Sequence, residues 1–154
     1  MTTDEYIEAG AYDLWMTKGI PKKGDILFTT EAPLGNVAMF PSEGKFALGQ
    51  RIITLRCKTQ KCVSEFLFQS LLGPEMQERI DFNSTGSTAK GIKSSVFVTL
   101  RFRFPKSEEQ RRIASCLSSL DAMIIAGTHK LEALKTHKKG LVQQLFPSPE
   151  AVGV

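Results

Sequence analysis

Residues Glu108 to Phe146, EEQRRIASCLSSLDAMIIAGTHKLEALKTHKKGLVQQLF, decide how this chain is built. Ile113, Leu117, Leu120, Ile124, Gly127, Leu131, Leu134, Lys138, Leu141 and Leu145 follow one another in unbroken steps of four and three. That spacing is the a/d seam of a coiled coil, narrower than the apolar face of a helix packed on a globular core. No proline interrupts it. Pro105 stops the preceding segment, and Ser107 with Gln110 three residues on has the pattern of a capping box. At 1.5 Å per residue the helix runs roughly 58 Å, more than a domain of this size needs for its own core. A helix of that kind serves as a spacer, an assembly strut, or both.

The 154 residues, 42% of them hydrophobic, suffice for one sizeable core, so we expect a single globular domain followed by the helix. Twenty Lys and Arg against sixteen Asp and Glu give a net charge of +4 and a pI near 9.0, which permits an acidic partner without requiring one. The excess is spread evenly, and there is no basic tail. Cys57, Cys62 and Cys116 lack the two close ligand pairs of a structural zinc site and read as free thiols of a reducing cytosol. The acidic start, Met1 to Glu5, has no signal-peptide apolar region, and no apolar run approaches the ~18 residues that span a membrane. The expectation is a cytoplasmic protein.

Ahead of the helix the pattern is mixed. Thr3 can cap a short helix through roughly Met16, and Gly19 to Asp25 is turn chemistry. Ile26 to Thr29 reads as a buried strand, Val37 to Phe40 as a second, and Phe46 to Leu48 as the lead into a third, after a hairpin-like loop over Pro41 to Lys45. Arg51 to Arg56 is the clearest strand, β-branched and closed by charge at both ends. Val63 to Leu71 repeats at helical spacing and stops at Gly73-Pro74. A second helix then carries Met76, Ile80 and Phe82 on one face. Asn83 to Gly91 is a loop, and Thr99 to Phe104 alternates as a half-buried strand with Arg101 and Arg103 outward. The fold class expected is α/β: a mixed α+β domain over residues 1–105 with a small β-sheet, one long coiled-coil helix over 106–146, and a disordered tail over 147–154.

Enzyme constellations are scarce. Asp25 with Glu43-Gly44-Lys45 mimics the acidic pair and lysine of a magnesium-dependent nuclease, but three common residue types at loose spacing occur by chance in most chains. No Walker-type phosphate loop and no Gly-x-Ser-x-Gly elbow is present. His129 and His137 lie eight apart on the long helix, beyond the single turn at which two histidines share a metal, so no metal site is expected. The loop Asn83 to Gly91 is more informative. Its small hydroxyl and amide side chains let a backbone approach phosphates and can hydrogen-bond base edges. Lys90 and Lys93 adjoin it, although such loops are also ordinary surface chemistry.

The run Thr85 to Ile92, then Leu100 to Pro105, then Glu109-Gln110-Arg111-Arg112-Ile113-Ala114 through Leu117, Leu120 and Asp121, resembles the specificity (S) subunit of type I restriction–modification systems. The end of the helix fits too, in Leu131-Glu132-Ala133-Leu134-Lys135, Lys138-Lys139-Gly140-Leu141 and Gln144-Leu145-Phe146-Pro147. Lys23-Gly24-Asp25-Ile26-Leu27-Phe28 and Gly35 resemble the strand-and-turn region of that family's target recognition domain.

The resemblance implies a non-catalytic reader of double-stranded DNA. In that family two recognition domains alternate with two long helices, which pair antiparallel. The subunit docks methyltransferase (M) subunits, which bind S-adenosylmethionine, and a restriction (R) subunit that uses ATP and magnesium. No cofactor is expected on the specificity chain itself. This chain has one recognition domain and one helix, and that domain looks short at its front. We therefore expect a half-length subunit that forms a homodimer through the seam. The DNA-facing residues expected are Lys22, Lys23, Arg51, Asn83, Ser84, Thr85, Ser87, Thr88, Lys90 and Lys93. Two alternatives stand beside this: an interaction-only fragment that pairs with M or another S subunit without reading DNA, and the magnesium nuclease.

Overall fold

Ile26 to Thr29 form β1, the central strand of a three-stranded antiparallel sheet in the order β2-β1-β3. In this computed structural model, which describes residues 6–17, 19–41, 46–58 and 61–146, β2 is Val37–Met39 and β3 is Ile52–Leu55. Ile26 pairs with Met39 on one side and Leu55 on the other. The unbroken apolar run of β1 is explained by its position, since Ile26, Leu27 and Phe28 are all buried and both faces of the strand are covered. Ile26 and Phe28 join the main core, where they meet Leu67, Leu71, Met76, Ile80, Ile92 and Phe97, and the rings of Phe28 and Phe97 lie 4.6 Å apart.

The helices supply the other side of that core. A single 3-10 turn, Ala9–Ala11, leads into α1, Tyr12–Trp15. The helix expected from Thr3 is thus confined, among the described residues, to its last part, and Gly10 is a weak helix former at that point. α2 (Ser64–Leu72) and α3 (Pro74–Phe82) follow each other across Gly73, with Pro74 at the first helical position where its missing N–H costs nothing. α4 is one short turn, Ser94–Phe97, which the sequence reading left out. α5 runs unbroken from Ser107 to Leu145. Residues up to Ala114 form one compact unit and those from Ser115 a second, so the first turns of α5 belong to the globular unit.

Three expectations fail for physical reasons. Phe46 to Leu48 is not a strand, because its carbonyls accept from side chains of α1: Tyr12 Oη on Phe46 and Trp15 Nε1 on Leu48, at 3.4 and 2.8 Å. Thr99 to Phe104 is not a strand either. Leu100 and Phe102 do pack on the core with Arg101 and Arg103 outward, but the Arg101 carbonyl accepts from the Arg79 guanidinium and no strand among the described residues pairs with it. Phe82 is 89% exposed, not part of the buried face of α3. The cysteine reading also changes: Cys57 and Cys62 are joined as a disulfide, their Cα atoms 5.4 Å apart across the turn from β3 to α2, while Cys116 is free and exposed. The hairpin-like loop over Ser42 to Lys45 and the disordered tail over 147–154 lie outside the described residues.

Gln110 is fully buried on the first turn of α5. Its Oε1 accepts from the Val63 backbone N–H at 2.9 Å, and its Nε2 donates to the carbonyls of Lys61 and Pro105, each at 2.7 Å. The side chain expected to complete a capping box at Ser107 is therefore committed to the β3–α2 connection. Gln110→Ala should lower the unfolding free energy by about 3 kcal/mol, since buried donors and acceptors lose their partner. Gln110→Glu, which cannot donate to the two carbonyls, should be no better. A change within ~0.5 kcal/mol in urea denaturation, the range of a surface substitution, would show that this amide is no anchor.

Candidate nucleic-acid interface

The Asn83–Gly91 loop is closed by main chain. Thr85 and Gly91 exchange both backbone hydrogen bonds, at 2.8 and 2.9 Å, and form an isolated bridge. Gly91 also bridges to Glu31, and the Ile92 N–H donates to the Thr30 carbonyl at 2.9 Å, which fixes the loop to the end of β1. Gly86 turns the chain at φ +110, where a Cβ would collide with the Ala89 carbonyl oxygen, so only glycine fits. Asn83 Nδ2 and Ser84 Oγ donate back to the last carbonyls of α3, on Arg79 and Asp81. Both side chains thus serve the loop's base. Ser87, Thr88 and Ala89 remain at the exposed tip.

The basic residues divide in two ways. Lys90 Nζ donates to both carboxylate oxygens of Asp81, at 2.6 and 2.7 Å, and Arg51 pairs with Glu31 at 2.9 Å. These two cations are already neutralised, whereas Lys22, Lys23 and Lys93 make no ion pair among the described residues. Placement divides them again. The Arg51 carbonyl accepts from Thr30 N and Oγ1, so Arg51, the loop, Lys90 and Lys93 gather where β1 ends. Lys22 and Lys23 precede the opposite end of β1, about 13 Å away at the rise of an extended strand. The ten expected residues therefore occupy two places, not one. Asp81, whose carboxylate holds Lys90, carried no signal beyond its spacing to that lysine.

Asp25 belongs to the fold. Its carboxylate is 2% exposed and accepts from Arg56 Nε at 2.7 Å, from Arg56 Nη2 and from the Lys22 N–H at 2.7 Å. Glu43 and Lys45, the rest of the nuclease pattern, lie outside the described residues. Among the described residues no group of three acidic, His or Cys side chains is placed to hold a metal, and no helix is long and apolar enough to cross a membrane. An open groove of about 780 Å³ runs beside β3, lined by Trp15, Leu48, Gln50, Ile52, Thr54 and Ser94 among others, and by no residue of the loop itself.

The second surface is the seam of α5. Its apolar members are exposed, from 36% at Ile113 to 70% at Leu145, and Gly127 and Lys138 lie among them in the same row. Isolated exposed leucines need no explanation, but a continuous row at coiled-coil spacing does.

The family model described as the type I restriction modification DNA specificity domain matches residues 16–136. The chain belongs to that family. The match takes in the sheet, the closed loop and most of the seam. The type I restriction enzyme MjaIX specificity subunit of Methanocaldococcus jannaschii is 34% identical over 102 residues, which are 66% of this chain and 23% of that protein. The putative type I restriction enzyme MjaX specificity subunit of the same organism is 28% identical over 128 residues, 80% of this chain and 30% of that one. The S subunit of a type I restriction–modification system from M. genitalium shares the fold, with a TM-score of 0.65 over 87% of this chain and 36% of that chain at 23% identity. The specificity domain described here thus spans less than a third of the length of these curated relatives.

The Arg56 guanidinium holds the Asp25 carboxyl below its ordinary value, burial opposing it more weakly and the Lys22 N–H adding to it. The unfolded chain therefore binds the proton more readily than the folded one. Stability from the pair is complete above the ordinary carboxylate value of ~3.9 and is lost as pH falls from there through the lower folded value. Arg56→Met should destabilise the domain by about 2 kcal/mol at neutral pH, and its deficit should shrink as Asp25 protonates. Parallel urea titrations of both proteins between about pH 6 and about pH 3 measure this, and a deficit that grows on acidification would contradict it.

Proposed function

We propose that this chain works as a half-length, non-catalytic specificity subunit that reads one part of a DNA target and self-associates through α5. The observation that carries the reading is the family match over both the loop-bearing domain and the helix, together with the exposed seam. Burying an Ile or Leu side chain is worth roughly 1.5–3 kcal/mol, less what a compact unfolded chain already covers, so the seam favours a second helix over water. A dimer would present two recognition domains related by twofold symmetry and so favour a palindromic split target. The partners of the assembled system are double-stranded DNA, M subunits carrying S-adenosylmethionine, and an R subunit carrying ATP and magnesium.

The DNA-facing surface proposed is the loop tip, Ser87 and Thr88, with Lys93 as its unpaired cation. Arg51 and Lys90 support the loop and its strand through Glu31 and Asp81. The second reading, an interaction-only fragment, is favoured by those same two ion pairs, because they leave this end of the sheet with few free charges. A gel shift with and without an M subunit separates the two.

Sedimentation at micromolar concentration should give a dimer, and Leu131→Asp with Leu134→Asp should give a folded monomer; a wild-type monomer would remove the self-association. In the assembled methyltransferase, Lys93→Ala should weaken binding to all sequences alike and lower the salt slope by about one. Lys90→Ala should lower it by less, since that charge is spent on Asp81. If the double variant methylated its target unchanged, this end of the sheet would not be the DNA-facing surface.

A further inference from the structure

Of Arg51, Lys90 and Lys93 at the loop end of the sheet, only Lys93 is unpaired, but the opposite end gathers more free charge. Lys22 and Lys23 stand on the turn before β1, and β3, which pairs Leu55 with Ile26, leads from that end into Lys58 and Lys61. Gln110 brings a third segment to the same place. Its Nε2 lies 2.7 Å from the carbonyl oxygens of both Lys61 and Pro105, so the backbones that carry Lys61 and Lys106 meet at the first turn of α5. Arg103 is exposed two residues before Pro105. Lys22, Lys23, Lys58, Lys61, Arg103 and Lys106 are all exposed, and none makes an ion pair among the described residues.

The carboxylates around them do not cancel this excess. Arg56 holds Asp25 and Arg112 holds Glu108, which leaves Glu65 and Glu109 against those cations. Like charges gathered in this way repel one another in the free chain and are relieved when a polyanion arrives. Their chemistry is selective too. Ammonium and guanidinium groups on long stems suit phosphate oxygens, and such contacts fix a protein on a duplex without reading its sequence. The hydroxyls of Ser87 and Thr88, which suit base edges, lie at the other end of the sheet. β1 separates the two ends by about 13 Å, or about four base pairs at 3.4 Å each, so one duplex can reach both.

We propose that the end of the domain from which α5 departs is a phosphate-binding surface, on which Lys61, Arg103 and Lys106, flanked by Lys22, Lys23 and Lys58, hold the duplex beyond the bases met by the loop. This rests on the DNA-reading function proposed above and deepens it by dividing the domain into an end that reads bases and an end that grips backbone. Lys22 and Lys23, which the fold keeps away from the loop, belong to this second surface.

The test uses the full chain assembled with an M subunit and follows the anisotropy of a fluorescein-labelled duplex of arbitrary sequence between about 50 and about 200 mM salt. Lys61→Ala with Arg103→Ala and Lys106→Ala should make the salt slope shallower by about two to three. Affinity at about 0.15 M salt should fall on the order of 100-fold, and equally for the arbitrary duplex and the methylated target. Lys61→Arg with Lys106→Arg should keep the wild-type slope, and every variant should keep the wild-type urea midpoint, since Gln110 grips backbone atoms here. An unchanged slope in the triple alanine variant, with Lys93→Ala still lowering it, overturns this inference and leaves the loop surface standing. The reverse pattern removes the loop surface and leaves this one. If neither variant changes the slope, both fall. A loss confined to the target, or loss of the M subunit from the triple variant by sedimentation, also overturns the inference, the latter by showing that these cations dock an acidic protein face.

Discussion

The structure depends on one buried amide. Gln110 sits on the first turn of α5, yet the hydrogen bonds of its side chain go to backbone groups outside the helix, on Val63, Lys61 and Pro105. A long helix with polar residues on most of its circumference has little of its own to hold it against a domain. Here the hold comes from satisfying backbone groups that would otherwise be buried without partners, a constraint with a larger penalty for failure than any surface contact. The disulfide between Cys57 and Cys62 closes the same connection that the amide grips. Ala114, one turn on, is the last buried residue of the helix. Beyond it the apolar side chains form the exposed row at heptad spacing.

Much of this was legible in the residues, and the failures share a cause. β1, β3, α2, α3 and α5 were all readable because hydrophobic spacing reports which faces are buried, and in each case a regular element was the only way to bury that face. The same signal misled at Thr99 to Phe104. Alternation placed Leu100 and Phe102 inward and the arginines outward correctly, but it carries no information about whether a neighbouring strand supplies hydrogen bonds. At Phe46 to Leu48 the competing acceptor use came from Tyr12 and Trp15, more than thirty residues away in sequence. Long-range side-chain-to-backbone bonds leave no local trace.

The candidate interface was legible in place but not in charge. Composition identified the loop and its basic neighbours, and the fold does gather Arg51, Lys90 and Lys93 at one end of the sheet. It could not show that Asp81 and Glu31 meet two of those three cations. Nor could it show that Lys22 and Lys23 lie at the other end of β1. A count of basic residues overstates the free positive charge by the number of carboxylates folded against it, and exposed pairs of this kind add little stability of their own. The family assignment is insensitive to such errors, since it rests on the family-model match over residues 16–136 and not on which side chains pair.

The closed stem of the Asn83–Gly91 loop separates what holds the loop from what it displays. Everything that fixes it runs through main-chain atoms, through Gly86, or through side chains at its base. Ser87, Thr88 and Ala89 contribute nothing to that support beyond a backbone path. Their identities can drift, and residues can be added between them, at an entropic cost that grows only slowly with loop length. A lineage under pressure to change what its loop contacts would find this segment nearly neutral for folding, while the core, which begins three residues on at Ile92, stays under strict constraint.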